Sequence, residues 1–419
     1  MGDERAVEID TGTGYGIKQP AYRRELVEVE QGTPMGELMR RYWQPFALSE
    51  DLTDKPRRVR LLGENLIAFR DKQGRAGLVH ERCAHRGTSL YFGRVEEDGI
   101  RCCYHGWKFD VRGRCLNQPA EVDGGRHRAK VCQPWYPVEE RYGLAYAYMG
   151  PPEKKPVLPR WEHLENLADD EYVEVRWKPG YGPLNDQPYN PLNFNFLQAY
   201  ENTLDAAHLP WLHFHHSGDQ FTGAPLMRVD GDDAELPPYA HVKNLAGQIV
   251  SGRSVLGVKQ GVPMPVPGQG LFLASNEAIV PNIAVVATLI DLLYFVPVDN
   301  THYFNFLLFR SKKGQKRGEF DLVHMGKTWW ELTEEERQSM PGDYEAQSSI
   351  GTLPAHNREH LAQSDVPLAL LRRRLAEAVK DVQEGRDPPG VQFGADAPPL
   401  RIGAHGMIPY TPATEGTTF

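Results

Sequence analysis

Two short segments constrain this chain more than anything else in it: Cys83-Ala84-His85-Arg86-Gly87 and Cys102-Cys103-Tyr104-His105-Gly106-Trp107, with sixteen residues between His85 and Cys102. A C-x-H pair followed by a C-x-x-H pair supplies two thiolates and two imidazoles. That donor set suits a [2Fe–2S] cluster in which Cys83 and Cys102 hold one iron while His85 and His105 hold the other. Imidazole is neutral where thiolate is anionic, so the mixed set lowers the negative charge at the cluster and raises its reduction potential. Such a fold must bring two loops face to face, and the product passes single electrons. A structural zinc site also uses Cys and His, but zinc knuckles favour C-x2-C pairs, whereas a C-x-H pair puts unlike ligands on one loop.

The surrounding residues extend the pattern. His-Arg-Gly follows the first Cys, His-Gly-Trp ends the second segment, and Gln118-Pro119-Ala120 comes after them. Together these resemble the three loops of a Rieske domain, the last being the proline-containing loop over the cluster. Ala84 and Cys103 stand where many members of that family have Pro. Cys102 is taken as the ligand in preference to Cys103 because it keeps the C-x-x-H spacing.

Composition excludes several classes. The net charge of −9 argues against a nucleic-acid binder. Basic runs such as Lys312-Lys313 to Lys316-Arg317 read as solvated loop. The start of the chain, Met1-Gly2-Asp3-Glu4-Arg5, has no apolar core, so no signal peptide is expected. The longest apolar run, Ile279 to Val298, is broken by Pro281, Asn282, Asp291 and Pro297 and is rich in β-branched residues. It reads as two buried strands, not a membrane span. Five Cys is an odd number. With two assigned to the cluster, Cys115 and Cys132 read as buried thiols, and the protein is expected in the cytoplasm.

Thr33 and Pro34 mark one short helix within a polar segment, residues 1–41. From 42 to 152 the pattern is β, with Val59–Leu62, Leu66–Arg70 and Leu144–Tyr148 as short strands between Gly- and Asp-rich turns. Residues 150–160 read as a linker. In the remainder, 153–419, a helix is expected over 195–209 and strands near 271–280, 284–296 and 301–310. Another helix is expected over 367–382, where Leu368, Leu371, Leu375, Val379 and Val382 share one face. Arg372, Arg373 and Arg374 on that helix read as mostly surface.

A second constellation is Asp205-x2-His208-x4-His213. A mononuclear non-haem iron that activates O2 uses two His and one carboxylate on one face. His208 and His213 are candidates for the His pair. Five residues is not one face of a straight helix, but Pro210 should end or bend it between them. Asp205, three residues before His208, shares its face and can hydrogen-bond it. His215 and His216 read as supporting or solvent-facing groups. By itself the spacing is equally compatible with a satisfied core histidine; an electron relay upstream gives it a purpose.

With the first motif, this region resembles the large subunits of Rieske aromatic ring-hydroxylating oxygenases. Gln198-Ala199-Tyr200-Glu201-Asn202 and Leu212-His213 look most like the branch of phthalate dioxygenase and the aryl-ether O-demethylases. That branch carries its carboxylate in an Asp-x5-Ser-x-Gly pattern followed by Glu-His-Leu, Ser/Thr-Asp and an arginine-rich helix. Asp343, Ser349 and Gly351, then Glu359-His360-Leu361, Ser364-Asp365 and Arg372-Arg373-Arg374, fit it. The resemblance therefore implies Asp343 as third iron ligand, with Glu345 its nearest rival, because Gly342 stands where the family usually has Gln.

The resemblance also implies an α+β fold: an N-terminal β-rich Rieske [2Fe–2S] domain followed by a catalytic domain with a curved antiparallel β-sheet covered by helices. It implies a mononuclear Fe(II) beside the cluster, and an NAD(P)H-dependent reductase, with or without a ferredoxin domain, as electron donor. It implies hydroxylation or O-demethylation of an aromatic substrate, an aromatic acid being favoured, by O2. A head-to-tail homotrimer or stacked hexamer follows, in which Asp205 bridges His208 and the His105 of a neighbouring copy. The rival from another class, a Rieske electron carrier, would need only the first domain. Neither nucleic acid nor membrane is expected as partner. Arg228, Arg253 and Lys259 could clamp a substrate carboxylate but read more simply as surface charges.

Overall fold

The computed structural model describes residues 14–178, 191–217, 249–266, 270–286, 290–314, 332–403 and 407–409. Residues 1–13, Arg228, the Lys316-Arg317 pair and the side chain of His215 lie outside the described residues, as does much of the stretch 220–345.

The N-terminal segment forms two helices where one was expected. Arg24–Val27 comes first, and Pro34–Arg40 follows, capped by the Thr33 side chain, which accepts the Gly36 N–H at 3.2 Å. Leu26, Val27, Leu38 and Met39 are fully buried. Both helices pack against the long helix Val366–Gln383 near the other end of the chain.

The β-rich part contains three antiparallel sheets. Trp43–Leu48, Leu144–Tyr148 and Val138–Arg141 form a three-stranded one. A four-stranded sheet runs Arg57–Leu61, Glu64–Arg70, Ala76–His80 and Trp135–Tyr136. The other runs Arg94–Glu96, Gly99–Arg101, Lys108–Phe109 and Cys115–Asn117. Ile67, Phe69, Val79, Leu90, Ile100 and Phe109 make a compact core of their own that includes Cys83 and Cys102. Residues 150–160 connect this part to the next, but docked: Pro156 and Leu158 are buried, and the Trp43 indole N–H donates to the Pro156 carbonyl. Cys115 is buried as expected, whereas Cys132 is exposed, since it lies on an outer bridge opposite Arg114.

Among the described residues, the second part is built on an antiparallel sheet of eight strands. Seven run in the order Glu171–Lys178, His302–Lys312, Ile290–Asp299, Ile283–Val286, Gly270–Ile279, Gly257–Val266 and Val250–Arg253, while Met407–Pro409 pairs with Gly270–Ile279. The strand expected over 284–296 is therefore two strands paired with each other. Ile290–Asp299 is buried at eight successive positions, so it lies between covered faces and shows no alternation in sequence. Phe196–Asn202 packs on that strand, and Val366–Gln383 covers Val250–Arg253 and Gly257–Val266. Among the described residues no helix is long and apolar enough to cross a membrane.

One expectation on the long helix fails informatively. Leu371, Leu375 and Val379 are buried as the spacing predicts, but Arg372 is also buried, at 6% exposure. Its guanidinium forks onto Glu201, with Nε–Oε1 2.6 Å and Nη2–Oε2 2.7 Å, and onto Glu359, with Nη2–Oε1 3.0 Å. Burial works against its charge, yet the hydrogen bonds it donates to Glu201 and Glu359 hold it above the ordinary Arg range. Hydrophobic spacing does not reveal a buried cation whose partners lie 171 and 13 residues away. Removing one partner of a buried ion pair strands the other charge, which costs about 3–5 kcal/mol. Arg372→Met should therefore lower the chemical-denaturation midpoint strongly, while Arg373→Met, whose parent side chain is 76% exposed, should barely move it. Equal shifts for the two variants would remove the triad from the list of what holds the fold.

Candidate metal centres

The first centre is made by two loops with the same backbone design. In one, the Cys83 N–H donates to Thr88 O at 2.9 Å and the Gly87 N–H returns to Cys83 O at 2.9 Å. In the other, the Cys102 N–H donates to Trp107 O at 2.8 Å and the Gly106 N–H returns to Cys102 O at 3.2 Å. Gly87 and Gly106 close these turns at φ of +78° and +72°, which side chains resist. A Cβ on Gly106 would also meet Pro119 Cγ at 2.7 Å, so the third loop packs directly on the second.

The loops bring all four expected ligands together. Cys83 and Cys102 lie buried at 4% and 3% exposure, with their thiols in mutual contact, while Cys103 is exposed. His85 and His105 lie further out, their ring centroids 4.5 Å apart. His85 stacks on Trp107 at 4.2 Å with planes 8° apart. Burial pushes the Cys83 thiol up to about 12, with backbone N–H groups of His85 and Arg86 opposing. Burial, then the neighbouring His105, lowers His85 and favours the neutral imidazole a metal needs. Two buried thiols and two imidazole rings form the donor set of a Rieske cluster.

Gln133, which sequence reasoning did not single out, braces the first loop. It is fully buried; its amide donates to the His80 and Arg82 carbonyls at 2.8 and 2.9 Å, and its Oε1 accepts the Ala84 N–H at 2.7 Å. A lone Gln about fifty residues downstream carries no motif, so nothing in the sequence marks it.

The second centre depends on a helix that breaks where a continuous one was expected over 195–209. Asn195 caps Phe196–Asn202 by accepting the Leu197 N–H at 3.0 Å. The chain then turns at Asp205, whose Oδ1 accepts the Ala207 and His208 N–H groups at 2.9 and 3.2 Å. His208–Pro210 restarts as one helical turn and runs into a π-helical turn, Trp211–His216. A π turn closes i→i+5 bonds, so residues five apart can share a face. That winding, in addition to Pro210, reconciles His208 with His213.

Asp343, at the first position of helix Asp343–Ser349, completes the group. Ligand atoms of His208, His213 and Asp343 all lie within 4.8 Å of one another. Asp343 Oδ1 is 3.6 Å from His208 Nε2 and 3.3 Å from His213 Nε2. Two imidazoles and one carboxylate at these spacings fit a mononuclear non-haem iron and leave positions open for other ligands. Glu345, the rival, points elsewhere: it accepts the Gly342 N–H at 3.0 Å as a cap, and burial raises its carboxyl. His216 is exposed.

Two neighbours tune this group. The Asn202 amide donates to Asp343 Oδ1 at 3.2 Å and lies 3.4 Å from His208 Nε2. The backbone carbonyl of Asp205 is 2.5 Å from His208 Nδ1, while its carboxylate Oδ2 is 3.8 Å away. The hydrogen bond expected from the Asp205 side chain is thus made by its main chain. It fixes the tautomer that leaves Nε2 free for metal. Of the possible carboxylate clamps, Arg253 pairs with Glu377 at the surface.

Residues 42–134 match the family described as the Rieske [2Fe-2S] domain. The chain is 46% identical over 387 residues to the alpha subunit of phenoxybenzoate dioxygenase from Ectopseudomonas oleovorans, covering 89% of this chain and 88% of that one. It is 30% identical to the oxygenase subunit of 5,5'-dehydrodivanillate O-demethylase from Sphingobium sp., covering 88% and 82%. In fold it is similar to NdmA of Pseudomonas putida CBB5, solved with caffeine, at a TM-score of 0.56 and 20% identity over 86% of this chain and 98% of that one. An identity of 46% across nearly the full length of both chains is kinship, not a shared module: this chain belongs to the Rieske non-haem iron oxygenases as a terminal oxygenase large subunit, an enzyme carrying a Rieske [2Fe–2S] cluster and a mononuclear iron.

Proposed function

We propose that this oxygenase hydroxylates or O-demethylates an aromatic acid or aryl ether, with residues 42–152 accepting electrons and residues 153–419 carrying the oxygenation. The observation that carries this reading is the convergence of His208, His213 and Asp343 in one group. His208, His213 and Asp343 hold the iron; Cys83, Cys102, His85 and His105 hold the cluster. When bound, the cluster supplies single electrons at a raised potential and the iron supplies O2 activation. The kinship with a phenoxybenzoate dioxygenase subunit supports an aryl ether acid as the first substrate to test.

The chain's own residues do the positioning. The Asp205 carbonyl holds His208 in one tautomer, and Asn202 holds the Asp343 carboxylate in one orientation. Both side chains are partly buried, so an organic substrate meets a group already arranged for metal.

Electrons come from an NAD(P)H-dependent reductase, with or without a ferredoxin. Between Arg82 and Cys132, ten Lys and Arg face six Asp and Glu, a net +4 in a chain of net −9. Arg82, Arg86, Arg112, Arg114, Arg126, Arg128 and Lys130 are all exposed. An exposed excess of positive charge on the segment that carries the cluster loops favours an acidic donor and an encounter rate that falls with ionic strength. We further propose a homotrimer or stacked hexamer in which His105 of one copy approaches Asp205 of the next. Asp205 keeps its Oδ2 near His208 while Oδ1 is engaged locally, which leaves one oxygen available for that bridge. Five thiols without a disulfide support a cytoplasmic location.

Three measurements test this reading. Asp343→Ala should lower iron from about three to about two per chain with the Rieske absorbance intact; full iron and full activity would transfer the role to another acid. Asp205→Asn should leave both centres loaded and the cluster reducible, yet slow single-turnover oxidation of the reduced cluster by about 10–100-fold; a parental rate would rule out the bridge. Reductase-coupled O2 uptake over a panel of phenoxybenzoates, benzoates and methoxybenzoates should rise above the substrate-free rate for at least one compound, with stoichiometric product. A flat panel would exclude the aromatic acid and ether class.

A further inference from the structure

The helix Phe196–Asn202 touches the helix Asp343–Ser349 at two points one turn apart. At one end, Asn202 meets Asp343. At the other, the Gln198 amide donates to the Gln347 and Gly351 carbonyls, each at 2.9 Å. Four residues separate 198 from 202, and four separate 343 from 347, so both steps span about 6 Å of helix axis. The contacts run in opposite senses along the two helices, so they are matching rungs of an antiparallel pair. A third bond, from the Asn195 N–H to Thr352 O at 3.0 Å, extends the same register beyond Gln198.

The rung at Gln198 is buried: the side chain is 5% exposed. Both its partners are carbonyls, so the amide must present its NH2, and its Oε1 is buried without a hydrogen-bond partner among the described residues. The side chain is thus used only as a double donor. A helix of seven residues moves as one rigid body, so fixing its C-terminal turn fixes the position of Asp343 at its first turn.

We infer that Gln198 is a positioning residue for the mononuclear iron: its two donated hydrogen bonds set the register of helix Asp343–Ser349 against helix Phe196–Asn202, and so the distance of the Asp343 carboxylate from His208 and His213. The inference rests on the reading of those three residues as iron ligands. Without the rung, the short helix loses its buried brace at Gln347, and the more exposed bonds of Asn202 to Asp343 and of the Tyr344 hydroxyl to Asn193 Oδ1 are left to hold it. The carboxylate then samples positions from which it cannot complete the ligand set.

The test uses full-length protein stripped of its mononuclear iron by a mild chelator with the cluster retained. Fe(II) affinity is read by competition with a metal-sensing chelator. Gln198→Met keeps the length and removes both donors; Gln198→Glu keeps the shape and turns a carboxylate toward two carbonyls. Gln198→Met should weaken Fe(II) binding by about 10–100-fold, as losses of groups that orient metal ligands do, and Gln198→Glu should weaken it at least as much. The Rieske absorbance per chain should stay at the parental value. At saturating Fe(II), the high-spin EPR signal of the nitric-oxide adduct should broaden, reporting a spread of carboxylate positions. Fe(II) affinity within about twofold of the parent in both variants overturns the proposal. Loss of the Rieske signature along with the iron also overturns it, because Gln198 would then serve folding in general. Asp343→Ala, run alongside, separates the two readings: if it leaves affinity unchanged, the ligand assignment has failed; if it abolishes binding while the Gln198 variants bind normally, only the register lock has.

Discussion

A single buried guanidinium ties the catalytic half together. Arg372 reaches from the long C-terminal helix to Glu201 and Glu359, and Glu201 lies directly beside Asn202. Burying a cation is favourable only when its charge and its donors are met, and here two carboxylates meet them. The ion cluster therefore does what apolar packing alone would not: it fixes one orientation of Phe196–Asn202. A helix held only by Leu and Phe can rotate by a fraction of a turn at little expense. A forked bidentate pair cannot, and the residues that follow at Asp205, His208 and His213 inherit its orientation.

The two candidate metal centres use opposite strategies to place their proposed ligands. The cluster site relies on local closure: each loop folds back on itself within six residues, glycine takes the reversed conformation, and the ligands are read directly from adjacent positions. The iron site relies on convergence, with the His pair on one segment and Asp343 well over a hundred residues away. Local closure is robust to changes elsewhere. Convergence needs the whole sheet and its covering helices to be in register, which is why buried polar anchors surround it.

This difference also governs what could be read from the sequence. Cys83, His85, Cys102 and His105 were legible because spacing within a short loop nearly determines geometry. His208 and His213 were legible as residues but not as conformation; the π winding has no compositional mark. Asp343 came from family resemblance, since distance along the chain says nothing about distance in space. The alternation and apolar spacing located the main strands and the helix over 367–382. They failed at Arg372 and in the 284–296 strand, where burial on both faces and long-range ion pairing override periodicity. Gln133, Gln198 and Asn202 act through hydrogen bonds to distant partners that no spacing in the sequence marks.

The π-helical turn at Trp211–His216 has a consequence for how this site tolerates changes in chain length. A π turn is an α-helix that has absorbed one additional residue. The segment therefore holds slack that a regular helix lacks. Deleting one residue between His208 and His213 would leave the pair four apart, a spacing that an ordinary α-helix presents on one face. The imidazole pair is in that sense insensitive to the length of its own connection. What such a deletion would alter is the i→i+5 winding that runs past His213 to Ser217, whose N–H bonds Leu212 O at 3.0 Å and whose hydroxyl now anchors the segment to the Pro341 carbonyl two residues before Asp343. The winding of this turn thus sets how the chain reaches its anchor at Pro341, while His208 and His213 can share a face in either winding.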